Sequence, residues 1–129
     1  MNPFLITAAL SATNLVAVLP FDERVDRAKH VEESVVGKAY VQSIWSRIGA
    51  DSATAMHACF KQGSRPDTSA FVLVANILPD RTLAQPEVRP DTPMTACYVE
   101  RFAHAPFPAP PEIFGDLGIP IVIEMNIRP

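Results

Sequence analysis

A basic face is what this sequence most plainly lacks. Eleven Lys and Arg stand against fourteen Asp and Glu, for a net charge of −3 and a pI near 5.5. Phosphate backbones are bound by basic surfaces, so this balance argues against nucleic acid as the main partner. No run of like charges forms a polybasic membrane patch. Metal-ligand spacing is missing too: there is no Cys-x-x-Cys and no His pair. The only glycine-rich stretch, "FGDLG", lacks the spacing of a phosphate-cradling loop, so no cofactor is expected. Nucleophilic catalysis needs a Ser or Cys beside a base that a third group holds. His30, His57 and His104 lie far apart in sequence and in no such motif. His57 and Cys59, two residues apart, would not share a helix face. These absences lead us to expect a non-enzymatic protein.

What is present points to a small folded unit. The 129 residues are 48 % apolar, a one-domain length with enough apolar side chains for a core. Thirteen prolines, clustered between Pro79 and Pro120, favour short strands and rigid turns in the second half over a helical bundle. Residues 4–19 are apolar or small and uncharged, and residues 1–20 read as a signal peptide or N-terminal anchor. The run is short of the roughly 20 apolar residues a membrane span needs. A buried N-terminal segment is the other reading, since no Lys or Arg precedes the run. Residues 21–129 are expected to form a single domain.

The expected elements follow from spacing. Residues 22–36 place Val25, Ala28, Val31, Val35 and Val36 on one helical stripe, with Gly37 as an interruption. Val41, Ile44, Trp45 and Ile48 continue the helical period to a stop at Gly49. Trp45 reads either as core or as an exposed recognition aromatic. Asp51 or Ser52 then caps a further helix that carries Cys59 and ends at Gly63. Residues 71–78 are apolar on nearly both faces, as in a central strand. A tight turn at 78–81 leads to a poorer strand at 82–88, where Pro86 demands an edge or a bulge. Thr92 or Asp91 before Pro93 is the order of a helix cap and first residue, opening a helix with Met94, Cys97, Tyr98 and Phe102. The prolines at 106, 108, 110 and 111 leave Phe107 as an apolar plug. Ile119, Ile121, Ile123, Met125 and Ile127 alternate with Pro120, Val122, Glu124, Asn126 and Arg128, the clearest period-two stretch in the chain. Cys59 and Cys97 read either as a disulfide or as two buried thiols; a bridge would place the chain in an oxidising compartment. The fold class that results is α+β: an antiparallel sheet of about three strands covered by helices, in the order α-α-β-β-α-β.

Residues 39–127 resemble the C-terminal domain of TonB-like proteins, more particularly the cysteine-containing variant of AgmX-type and TolA-like periplasmic proteins. Three stretches carry the resemblance: "FVLVANILPDRTLAQPEV", "TACYVERFAHAPFPAPP" and "IPIVIEMNI". The upstream "MHACFKQ" resembles the helical cysteine that partners the second one in that variant. Pro79-Asp80-Arg81 departs from the Asp-Gly turn that the family favours. The resemblance implies a Cys59–Cys97 bridge, a periplasmic or secreted location, and a helix-covered sheet whose edge binds a protein partner by strand addition. The residues it points to are Ile121, Val122, Ile123, Glu124, Met125 and Asn126, with Phe107 as a further partner-facing residue. That last strand could instead be central, or its edge covered by residues 22–36. A small inhibitor or immunity-type protein, blocking a secreted toxin or lytic enzyme through the loop at 107–115, is the alternative function.

Overall fold

The computed structural model describes residues 19–60 and 70–126. Residues 1–18 of the candidate signal or anchor segment, the end of the Cys59 helix near Gly63, the turn at 64–69 and the last residues, 127–129, lie outside them. The chain is α+β in the expected order: α1 (Phe21–Glu33), α2 (Val35–Phe60), β1 (Phe71–Ile77), β2 (Leu83–Arg89), α3 (Pro93–Phe102), a 3₁₀ segment (Glu112–Leu117) and β3 (Ile119–Met125). The three strands form one antiparallel sheet in the order β2-β1-β3. β1 is therefore central, which explains why both of its faces are apolar.

The two helical boundaries expected at glycines fall elsewhere. Ser34, in extended backbone, separates α1 from α2, and its hydroxyl accepts the Gly37 N–H at 3.1 Å as a cap for α2. Gly37 lies inside α2, at a position where a Cβ would collide with the Val31 carbonyl of α1. α2 then runs unbroken through Gly49. Ser52, expected as a cap, instead gives its hydroxyl to a buried hydrogen bond with the Tyr98 hydroxyl, 2.7 Å away. Packing of Ile44, Ile48 and Ala55 on one face holds the helix through a glycine that would cost about 1 kcal/mol in isolation. α3 opens as its residues dictate: Thr92 accepts from the Thr95 N–H, Thr95 accepts from the Thr92 N–H, and Pro93 stands first in the helix.

One face of the sheet carries the main core. Leu73, Ala75 and Ile77 of β1 pair with Ile123, Ile121 and Ile119 of β3 and, with Phe71, pack on Tyr40, Ile44, Ile48 and Cys59 of α2 and Met94, Tyr98 and Phe102 of α3. Each of these side chains is at most a few per cent exposed, worth about 1.5–3 kcal/mol per large apolar group. An aromatic row, Phe71–Tyr98–Phe102–Phe107, continues through the core at centroid spacings of 5.4, 5.5 and 5.1 Å. Cys59 and Cys97 form a disulfide that ties α2 to α3, with Cα atoms 5.7 Å apart. A disulfide fits an oxidising, extracytoplasmic compartment.

α1 lies on the opposite face. The Arg89 guanidinium sits over the Phe21 ring at 4.8 Å, Arg24 reaches Glu87, and Lys29 reaches Glu124. Those three partners all pair with Val72 or Val74 of β1, so α1 crosses that face from β2 to β3. Among the described residues no helix is long and apolar enough to cross a membrane.

Candidate functional site

β3 is an edge strand. It pairs with β1 through seven consecutive residue pairs, Phe71↔Met125 to Ile77↔Ile119, with no irregularity. Among the described residues, nothing pairs with its other side: the sheet ends there, and no other backbone group bonds to it. The period-two pattern of its sequence produces this geometry. Ile119, Ile121 and Ile123 point into the core at 0–4 % exposure, while Val122 is half-buried and Glu124 exposed.

The outer side of β3 is split in two. Its second half, from Val122 to Met125, floors an open groove of about 460 Å³. Lys29, Glu32 and Glu33 in the last turns of α1 form one wall, and Trp45 of α2 forms the other. Its first half meets a different cavity of about 490 Å³, under α1 and the 3₁₀ segment, lined by Val31, Val74, Phe114, Leu117, Pro120 and Ile121. Two polar groups at this second cavity already have partners in the fold. Arg24 donates to the Gln85 carbonyl at 2.7 Å and to Glu87, and Asn76 donates to the Leu117 carbonyl at 3.0 Å. Gly118 closes this end at φ 71°, where a side chain would strike the Ile77 carbonyl.

Electrostatics sharpen the groove. Lys29 donates to Glu124 at 2.7 Å, each about half exposed, and this hydrogen bond and charge hold the ammonium's pKa above its usual value. Glu32 and Glu33 have no ion-pair partner among the described residues. Under α1, burial pulls the Arg24 guanidinium down from its ordinary pKa, and Glu87 opposes that shift.

The residues singled out in the sequence separate accordingly. Val122, Ile123, Glu124 and Met125 lie together on the groove, Ile121 lines the other cavity, and Asn126 is exposed just past the strand. Phe107, expected to face a partner, is instead 2 % exposed and packs edge-on against Phe102. Its burial has a simple cause: the proline segment is pinned inward by the Tyr40 hydroxyl, which donates to the Pro108 carbonyl at 2.6 Å. Trp45 is half-buried, at once against the core and at the groove. Of the groove walls, only Trp45 carries a sequence signal, as a core or recognition aromatic; Lys29, Glu32 and Glu33 carry none, because only the tertiary fold brings α1 to the strand.

Asp51, Ser52 and His104 share a smaller cavity of about 290 Å³, the residue types of a nucleophile, a base and an orienting acid. Ser52 is committed to Tyr98 rather than to His104. Among the described residues no three His, Cys, Asp or Glu side chains could hold a metal ion. A scan against protein-family models and searches of curated proteins and of solved structures found no match to the chain.

Proposed function

We propose that this chain is a non-enzymatic interaction domain of the periplasm or cell envelope, resembling the TonB C-terminal domain, that takes a segment of a protein partner as an added strand on β3. One observation carries the reading: a regular strand whose ladder, among the described residues, is filled on one side only, beside an open groove. An extended peptide placed there satisfies the unpaired N–H and C=O groups, while its alternate side chains meet the two walls. The disulfide supports the location, since such bonds persist in oxidising compartments.

The experiment is capture from an envelope extract by the wild-type chain and by Val122→Lys, with amide exchange measured on the captured complex. Loss of capture by a folded variant, together with new protection of β3 amides in the wild-type complex, is the expected result. Undiminished capture by Val122→Lys would count against strand addition.

One observation favours the second reading, an inhibitor or immunity-type protein. Ile113, in the loop between α3 and β3, is 80 % exposed, as an inserting side chain would be. Inhibition of a secreted lytic enzyme that Ile113→Asp abolishes and Val122→Lys leaves intact would select it.

A further inference from the structure

The two walls of the β3 groove differ in chemistry, and a strand added between them must match both. Side chains of such a strand alternate between the two faces of the sheet. Toward the α1 face stand Glu32, Glu33 and Glu124, with the single ammonium of Lys29 already bound to Glu124. The C-terminal end of α1 adds the negative end of its helix dipole at the same place, a site that favours cations. Toward the α2 face stands Trp45, half-buried, beside Ile123 and Met125.

We propose that the segment this groove takes is an extended peptide alternating basic and apolar residues. Its basic side chains face Glu32 and Glu33, and its apolar side chains cover Trp45. This rests on the reading of β3 as the docking edge and adds the chemistry of the occupant. A second copy of the chain fits less well. Its own β3 would bring Val122 and Glu124 to the acidic wall, with Glu124 already holding the one nearby ammonium, Lys29.

Trp45 is the only tryptophan in the chain, so its emission reports occupancy of this groove directly. The full chain is titrated with a blocked peptide alternating valine and lysine, of about nine residues to give a full strand. Four companions are used: lysine replaced by serine, lysine replaced by glutamate, the same valines and lysines arranged in two blocks, and the first peptide N-methylated at every residue. The valine–lysine peptide should bind about tenfold more tightly than the valine–serine one, the effect of two or three exposed ion pairs, and the margin should shrink in high salt. The valine–glutamate, block and N-methylated peptides should bind worst. In the double variant Glu32→Lys, Glu33→Lys, shown folded by circular dichroism, the order of the lysine and glutamate peptides should reverse.

Equal binding of the lysine, serine and glutamate peptides, with the N-methylated one excluded, overturns the charge assignment and leaves the docking edge standing. Equal binding of the block peptide overturns the two-wall assignment. If none of them alters Trp45 emission, the docking edge falls and this inference falls with it.

Discussion

The sheet has two edges, and the fold treats them oppositely. β2 is bulged: its register with β1 slips between Val74 and Asn76, Gln85 sits at φ 52°, and Pro86 has no N–H to offer. The Gln85 carbonyl is occupied by the Arg24 guanidinium at 2.7 Å. β3 carries one proline, Pro120, at its start; from Ile121 to Met125 it has no bulge or proline, and its register is straight throughout. Bulges and proline are how natural sheets discourage pairing at an edge. One edge is therefore closed by its own sequence, while the other, among the described residues, is unpaired and regular from Ile121 on.

Removing the bridge with Cys59→Ser and Cys97→Ser should produce the largest change, and should not distinguish the edges. Its 38-residue separation gives about 4 kcal/mol in the chain-entropy model, read as a lower urea midpoint. Arg24→Met comes next and acts on the closed edge alone. It strips the Gln85 carbonyl of its partner and leaves Glu87 with Arg89 alone, costing about 1–3 kcal/mol. Amide exchange should quicken in β2 while peptide binding at β3 is unchanged.

Tyr40→Phe removes the hydrogen bond to Pro108, about 1 kcal/mol at neutral pH. It should also change the alkaline limb. Burial pushes the Tyr40 hydroxyl from 10.0 up to about 12, and burial raises Tyr98 too, against the opposing Ser52 hydrogen bond. The folded state thus holds a proton that the unfolded chain gives up first. This stabilisation is complete below pH 10 and is lost as the pH rises toward 12. Urea midpoints of Tyr40→Phe should fall less steeply over that window than those of the wild type. The smallest effect on stability is expected for Val122→Lys, under about 1 kcal/mol at a half-buried edge position, although it should abolish partner binding.

Much of the fold was legible because local signals agreed with tertiary ones. The alternation from Ile119 onward marks β3, the apolar faces of residues 71–77 mark a central strand, and Thr92-Pro93 marks the start of α3. Pro86 correctly announced an edge or a bulge, and β2 has both. Where local signals competed with packing, they failed. Gly49 looked like a stop, but buried neighbours carry α2 through it, and the Ser52 hydroxyl serves Tyr98 instead of a helix end. Gly37 marked a real corner three residues late, since the break itself belongs to Ser34. The strand half of the candidate site could be read from its alternation. Its walls were legible only in part: Trp45 could be read as a recognition aromatic, but Glu32 and Glu33 look like ordinary solvent positions until the corner at Ser34 swings two helices around β3.

The most direct measurement is amide hydrogen exchange across both edge strands, with and without the valine–lysine peptide. Slowed exchange between Val122 and Asn126, with β2 unchanged, is the predicted result. Protection that appears along β2, or at neither edge while the peptide is bound, would contradict it.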